Sequence, residues 1–298
     1  MTHRRAVALM VLVTLLWSIA GVVTRHLDDA RGFEITFWRS AANALALVVM
    51  LGVLRGSVTL WRSIRTGGRT LWLSALCWCT MYTAFMMALT LTTVANVLVT
   101  MALAPLFTAL LARTLLGHRL AARTWAAIAL AGAGIAWMYG HELQGGRHLL
   151  GTLVALAVPI AAAVNWTLIQ SLRGREEAPD MLPAVLLGAV LSAALTLPLA
   201  WPLTASARDI GLLSMLGVFQ LAIPCLIAVV VARTLPAPEI SLLGLLEVLF
   251  GVAWAWLGAG EAPTAAVLGG GALVLIALAG NELLALGSTR STQPSSRA

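Results

Sequence analysis

Apolar runs of about 20 residues alternate along the chain with short breaks that carry arginine, proline or glycine. The hydrocarbon core of a bilayer is about 30 Å thick, and a helix of roughly 20 apolar residues crosses it. The pattern therefore predicts an all-α integral membrane protein with ten transmembrane helices. They are expected near 6–25, 33–54, 70–90, 93–115, 123–140, 149–172, 181–203, 210–232, 238–259 and 264–286.

The second half of the chain repeats the plan of the first. Aligning Phe107 with Phe250 brings Gly117 onto Gly260 without a gap, an offset of 143 residues (250 − 107). Weak internal symmetry in an apolar chain is typical of transporters built from structural repeats. Since five helices per repeat is an odd number, the repeats enter the membrane from opposite sides and are inverted. The predicted units are a first repeat at 1–140, a second at 141–286, and a disordered cytoplasmic tail at 287–298.

Composition agrees with a membrane protein and excludes several other classes. The 298 residues are 60% hydrophobic and 10% charged, with a mean hydropathy of +0.93, whereas soluble domains carry about 25% charged residues. The net charge of +7 comes from arginines in the gaps between apolar runs, which argues against nucleic-acid binding. Cysteines and histidines show no metal-ligand spacing, and no Walker loop or dinucleotide fingerprint is present. The sequence predicts no metal, no cofactor and no enzyme activity.

The arginines also predict the orientation of the chain, because short cytoplasmic loops carry an excess of positive residues. With the amino terminus inside, 14 of the 19 arginines fall in inner segments and 4 in outer loops, while Arg39 alone remains within a span. We therefore predict a multi-pass protein of the cell inner membrane with both termini in the cytoplasm. Its oligomeric state is expected to be a monomer or a homodimer.

Two charged residues within spans are the first candidates for a functional site. A charge inside a membrane is unfavourable unless it is paired or reaches the interface, so Arg39 is either an anchor for an anionic substrate group or a snorkelling or structurally paired arginine. Glu247 is a candidate proton carrier or a counter-charge for a substrate amine. The predicted depths of the two residues differ by only roughly 7 Å, so an ion pair between them is the structural alternative.

Polar and aromatic residues in other spans predict a mainly apolar cavity with amide donors and aromatic walls, although each residue alone is also compatible with helix packing. The substrate-binding candidates are Arg39, Asn43, Tyr82, Asn165, Trp166, Gln220, Glu247 and Trp254. Asn96 is a further amide within a span. Glycines at 244, 251 and 258 form a stripe that predicts close approach of a neighbouring helix. Glu239, near a helix end, is expected to be solvated.

Four stretches carry a family resemblance that covers nearly the whole chain. They are LLWSIAGVVTR, FWRSAANAL, YTAFMMALTLTTVANVLVTMALAPLFTALLARTLLGHRL and LLEVLFGVAWAWLGAGEAPT. In this order they resemble the drug/metabolite transporter superfamily, specifically its bacterial EamA-like exporters. The resemblance implies ten helices in two inverted repeats, a central cavity, alternating access, and export of small metabolites, often amino acids.

The chain departs from the family pattern at two positions. The usual Gly-Glu after the fourth helix is Gly117-His118 here, and the usual Glu-Pro of the ninth helix is Glu247-Val248, although Pro105 keeps the proline in the first repeat. His118 lies at a membrane edge, so we expect it to affect gating or packing. The family does not share one coupling ion, and protons remain a candidate.

The function predicted from the sequence is secondary-active export of amino acids or related small metabolites across the inner membrane. Arg39 and Glu247 together favour a zwitterion over a cation. The alternatives are a multidrug exporter of lipophilic cations and a membrane scaffold without transport activity. The loops are too short to provide the partner-binding surface that a scaffold needs. The expected partners are a small-molecule substrate, the lipid bilayer and protons as candidate coupling ions.

Overall fold

A computed structural model describes residues 1–24, 26–92, 97, 100–117, 120–139, 149–175, 178–259 and 264–291. Three features of the sequence-based predictions, Asn96, His118 and the end of the tail from 292 onward, lie outside the described residues.

Helices joined by short segments make up the described part of the chain, as the apolar pattern predicts, and no strand occurs in these residues. The α-helices are α1 (His3–Trp17), α2 (Ala20–Thr24), α3 (Phe33–Arg55), α4 (Ser57–Thr66), α5 (Gly68–Leu91), α6 (Ala104–Leu116), α7 (Ala122–Tyr139), α8 (Leu149–Ser171), α9 (Leu182–Ala200), α10 (Ala207–Met215), α11 (Ile223–Val231), α12 (Ala237–Gly244), α13 (Leu246–Ala259) and α14 (Ala265–Ser291). A π-helix (Leu216–Ala222) joins α10 to α11.

Length and composition identify a multi-pass membrane protein. Within the described residues, seven helical segments are long and apolar enough to cross a membrane. They are His3–Thr24, Phe33–Arg55, Gly68–Leu91, Leu149–Ser171, Leu182–Ala200, Ala207–Val231 and Ala237–Trp254. The helices α6, α7 and α14 occupy the other three predicted spans. The last helix ends at Ser291, beyond the predicted end at 286.

Three of the predicted spans are interrupted near their middle, which the apolar pattern did not predict. Ser18 and Ile19 separate α1 from α2, and Leu245 separates α12 from α13. A turn at Ala102 and Leu103 precedes α6. Leu245 follows Ala102 by 143 residues (245 − 102), which is the offset that aligns the two halves of the sequence. Aligned positions in the two halves therefore both carry a helix break.

Contacts between helices follow the same correspondence between the halves. The pairs α3–α9, α7–α14 and α6–α12 each join corresponding spans of the two halves. Three further contacts occur in both halves. The contact of α5 with α8 corresponds to that of α11 with α1, and the contact of α5 with α9 corresponds to that of the π-helix with α3. The contact of α6 with α8 corresponds to that of α12 with α1.

Glycine allows α3 and the π-helix to approach closely. A Cβ atom on Gly217 would lie 2.7 Å from the carbonyl oxygen of Arg39 and 2.7 Å from the Cβ of Ala42. No side chain larger than hydrogen fits there, so Gly217 determines the distance between these two spans. The prediction that the glycine stripe of the ninth span packs closely was wrong for Gly244 and Gly251, and the surroundings of Gly258 lie outside the description. A Cβ on Gly244 or Gly251 would meet no described atom within 4 Å, and Gly244 instead lines a cavity.

Carboxylates fasten the segments at one end of the bundle. Asp209 accepts hydrogen bonds from the backbone N–H groups of Asp28, Asp29 and Ala30 at 2.8–2.9 Å. Glu34 accepts bonds from the backbone N–H groups of Thr204 and Ala205, both at 2.8 Å. Both carboxylates are buried. Glu34 ties the start of α3 to the segment before α10, and Asp209 ties α10 to the segment before α3.

Ion pairs join helix ends at the opposite end of the bundle. Asp180 accepts from Arg55 at 3.4 Å and from Arg233 at 3.2 Å. His3 lies 2.7 Å from a carboxylate oxygen of Glu239. The expectation that Glu239 is solvated was therefore wrong, because the first turn of α1 covers it.

We expect Gly217→Ala to destabilise the protein by about 1–3 kcal/mol, because the new methyl group collides with backbone atoms of α3. The midpoint of thermal unfolding of the purified protein in detergent measures the effect. Gly211→Ala is the matched control in the same span, since its Cβ would meet nothing within 4 Å. Equal midpoints for the two variants would contradict the close approach.

Candidate functional site

A cavity of about 140 Å³ lies inside the bundle, next to the helix breaks. Its walls come from α1, α3, α5, α6, α8, the π-helix, α11, α12 and α13. Aromatic and methionine side chains dominate the lining: Trp17, Trp78, Tyr82, Phe85, Trp166, Met10, Met81 and Met101. The polar lining consists of Arg39, Gln220, Cys225, Ser241 and Glu247. A mainly apolar cavity with a few convergent polar groups is the usual form of a small-molecule site.

Arg39 is fixed on the cavity wall by two other spans. Its side chain is only 1% exposed to solvent. Nη2 donates a hydrogen bond to the backbone carbonyl of Tyr82 at 2.9 Å, and Nη1 donates to Oε1 of Gln220 at 3.4 Å. The Nε–H group has no partner among the described residues. The guanidinium thus keeps donor capacity for an anionic group in the cavity.

Gln220 links Arg39 to the broken first span. It lies in the π-helix, and its Nε2 donates to the carbonyl of Trp17, the last residue of α1, at 3.3 Å. A π-helix is a rare conformation that occurs often at functional sites. The side-chain amide of Gln220 therefore forms hydrogen bonds both with the guanidinium of Arg39 and with the end of α1.

Glu247 lies in the first turn of α13 and lines the same cavity as Arg39. The two residues influence each other electrostatically, but among the described residues they form no direct ion pair. The Leu245 break places Glu247 near a helix N-terminus, where the helix dipole favours a negative charge. The structure thus holds opposite charges at two positions of one cavity without joining them.

Aromatic rings form one continuous wall of the cavity. The ring centroids of Trp78 and Tyr82 are 5.6 Å apart at an interplanar angle of 30°, and Trp166 meets Trp78 edge-on at 5.6 Å. These rings come from α5 and α8, which pack against each other. Rings that pack on one another form a rigid apolar surface for a substrate.

Five of the eight predicted site residues line the cavity: Arg39, Tyr82, Trp166, Gln220 and Glu247. The remaining three do not. Asn165 accepts a hydrogen bond from Ser74 at 2.6 Å, and Trp254 donates from its ring N–H to Ser18 at 3.0 Å, so both join helices. Asn43 is fully buried one turn from Arg39, and its side chain interacts with that of Tyr82.

Sequence reasoning missed most of the apolar lining, including Trp78, Met81 and Phe85, and also the small polar residues Cys225 and Ser241. Trp78, Met81, Tyr82 and Phe85 line the cavity from α5. Their spacing of i, i+3, i+4 and i+7 places them on one helix face. Such a stripe of large residues is a detectable signal, but it also occurs on lipid-facing and packing surfaces. No group of histidine, cysteine, aspartate and glutamate in the described part of the chain could hold a metal ion.

Gln220→Leu should destabilise the protein by about 1–3 kcal/mol, because Arg39 loses an acceptor and Trp17 loses a donor inside the bundle. Thermal unfolding in detergent provides the measurement. Phe219→Leu is the control, because Phe219 lies beside Gln220 in the π-helix but is exposed. A smaller effect for Gln220→Leu than for Phe219→Leu would refute the bridging role.

Comparisons with known proteins agree with this architecture. One crystal structure, described simply as that of a protein, matches with a TM-score of 0.79 at 18% sequence identity, covering 98% of this chain and 100% of its own. At that identity the similarity establishes the fold alone. A search of curated proteins finds no match. Residues 4–140 match the EamA-like transporter family, which is part of the drug/metabolite transporter superfamily. The first part of the chain, residues 4–140, is therefore similar to a family of membrane transporters of small substrates.

Proposed function

We propose that the protein is a secondary-active exporter of amino acids or closely related metabolites in the inner membrane. The observation that carries this proposal is the presence of Arg39 and Glu247 on one apolar cavity without an ion pair between them. A charge in a low-dielectric interior is strongly unfavourable unless an opposite charge or several hydrogen bonds compensate it. A zwitterion supplies both missing charges in one molecule.

In the proposed complex, the substrate carboxylate binds the guanidinium of Arg39. Its Nε–H group has no partner among the described residues, and the guanidinium carries five N–H donors, so it retains donors for a carboxylate. The substrate ammonium group binds the carboxylate of Glu247. Arg39 then gains an opposite charge in addition to its two acceptors in the protein, and Glu247 gains a cation, which favours an occupied cavity.

The cavity walls favour substrates with a large apolar side chain. Trp78, Tyr82 and Trp166 form one wall, and three methionines contribute to the rest. Methionine adapts to differently shaped partners because its side chain is flexible and polarisable. The proposed substrate class is therefore amino acids with bulky apolar side chains, with some tolerance of shape.

Alternating access would use the two halves of the chain as inverted repeats, 1–140 and 141–286. The aligned helix breaks at Ala102 and Leu245 and the corresponding contacts between helices support this assignment. Breaks beside the cavity allow half-helices to tilt about a central site. The arginine-rich end is proposed to face the cytoplasm, following the bias of positive residues. Glu247 is the candidate proton carrier, since it is the only acidic residue among the described residues that line the cavity.

One observation favours a second function, export of lipophilic cations. Aromatic rings, methionines and the single acid Glu247 suit a cation that is bound by ring faces and one carboxylate. Arg39 opposes this alternative, because its guanidinium lines the same cavity and repels a cationic substrate.

Counterflow in proteoliposomes tests the proposal with labelled amino acids of differing side chains. Arg39→Gln and Glu247→Gln should each reduce exchange of bulky apolar amino acids at least about tenfold, because each removes a charged hydrogen-bonding partner. Asp28→Asn and Arg208→Gln are matched controls, since this exposed ion pair lies away from the cavity. Their exchange should equal that of the unmodified protein.

The same experiment separates the alternatives. A dependence on the pH gradient that disappears only in Glu247→Gln identifies Glu247 as the proton carrier. Exchange of lipophilic cations without exchange of any amino acid, in protein that remains folded, would overturn the zwitterion proposal.

Two neighbouring residues of α8 should respond differently to substitution. Trp166→Ala removes a cavity wall, so we expect the relative rates for aromatic and aliphatic amino acids to change. Asn165→Ala removes the acceptor of Ser74, so it should lower the unfolding midpoint and leave those relative rates unchanged. Competition by a panel of amino acids in the counterflow assay measures the rates. A specificity change in Asn165→Ala alone would reverse these assignments.

A further inference from the structure

The segment between the spans α3 and α5 contains a helix that the apolar pattern did not predict. This helix, α4, runs over Ser57–Thr66 with the sequence SVTLWRSIRT, and none of its residues is buried. Leu60 packs partly against the hydrophobic core, and the helix contacts α3, α5 and α9. One side of α4 therefore rests on the protein, and the other side faces outward.

The outward side of α4 combines apolar and cationic groups. Val58 is 76% exposed and Trp61 is 57% exposed, and Arg62 and Arg65 are exposed beside them. The guanidinium of Arg65 lies over the ring of Trp61 at 5.4 Å from its centroid. An amphipathic helix with tryptophan and arginine on its free surface is typical of helices that lie in the membrane interface.

Arginines of this segment lack the acidic partners that neighbouring arginines have. Arg55 and Arg233 both pair with Asp180. Among the described residues, Arg62, Arg65 and Arg69 form no ion pair, and 55–69 contains no acidic residue. Three guanidinium groups without an acidic partner among the described residues thus lie close together along the chain, two on α4 and one at the start of α5. They create a local positive charge.

Apolar neighbours place this charge at the surface of the bilayer. Val53 and Leu54 at the end of α3 and Trp72 and Leu73 at the start of α5 are large, exposed and apolar. In a membrane-spanning protein such surfaces face lipid, and tryptophans mark the level of the headgroups. The positions of Trp61 and Trp72 therefore bring Arg62, Arg65 and Arg69 to the depth of the lipid phosphates.

We propose that α4 and the first turn of α5 form a binding site for the phosphate headgroups of anionic phospholipids. Arg62, Arg65 and Arg69 bind the phosphate oxygens, and Val58 and Trp61 insert among the upper acyl carbons. Each arginine near an anionic membrane surface strengthens binding, and guanidinium groups match phosphate geometry. The site is separate from the cavity and does not depend on the transported substrate.

Native mass spectrometry of the full-length protein in detergent tests the site, with phosphatidylglycerol and phosphatidylcholine as probes. The unmodified protein should prefer phosphatidylglycerol, and the triple variant R62Q/R65Q/R69Q should lose this preference by at least about tenfold. The control is R4Q/R5Q/R175Q, which removes the same charge from exposed arginines at other helix ends. It should keep the preference.

Three outcomes would overturn the proposal. They are an unchanged preference in the α4 variant, an equal loss in the control variant, and displacement of the lipid by soluble glycerol phosphate. The second would indicate a diffuse charge effect, and the third a site for free phosphate. Equal unfolding midpoints of both variants in phosphatidylcholine confirm that they are folded, as expected for exposed positions.

Discussion

A guanidinium buried in a helix bundle must be satisfied by the protein, and the centre of this structure depends on that constraint at Arg39. Its acceptors come from two other spans, the carbonyl of Tyr82 on α5 and the amide of Gln220 in the π-helix. Gly217 is required next to it, because α3 and the π-helix could not otherwise approach within reach of these bonds. The same amide of Gln220 binds the end of α1. One buried charge thus fixes the relative positions of four spans around the cavity.

Much of this arrangement could be predicted from the sequence, and the physical reason is the high free energy of polar groups in a membrane. Arg39, Gln220 and Glu247 stand out because a charge or amide within an apolar run requires an explanation, and all three line the cavity. The all-α membrane fold follows from the apolar runs, and the similarity of residues 4–140 to the EamA-like family follows from the motifs in that part of the chain. The break at Leu245 falls at the position that the repeat alignment pairs with Ala102.

Features that depend on partners in other spans could not be predicted. Asn165 and Trp254 are polar residues within spans like Gln220, but they hydrogen-bond to Ser74 and Ser18 outside the cavity lining, and sequence does not show which helix faces which. The role of a glycine near the middle of a span is equally difficult to predict. Gly217 lies against the backbone of α3, whereas Gly244 borders the cavity. The helix α4 was missed because a search for apolar runs does not detect a short amphipathic helix.

The two ends of the bundle are held by different chemistry, which bears on the direction of transport in the proposed mechanism. At one end, the buried carboxylates of Glu34 and Asp209 bind backbone N–H groups, and hydrogen bonds to a charged group contribute about 1.5–3 kcal/mol each. At the other end, Asp180 pairs with partly exposed Arg55 and Arg233, and exposed ion pairs contribute only about 0–1 kcal/mol. The second end is also held by Arg173, which donates to the backbone carbonyls of Ala232 and Leu235, so these bonds must break before it opens. It is also the arginine-rich end expected to face the cytoplasm, where an exporter must take up its substrate.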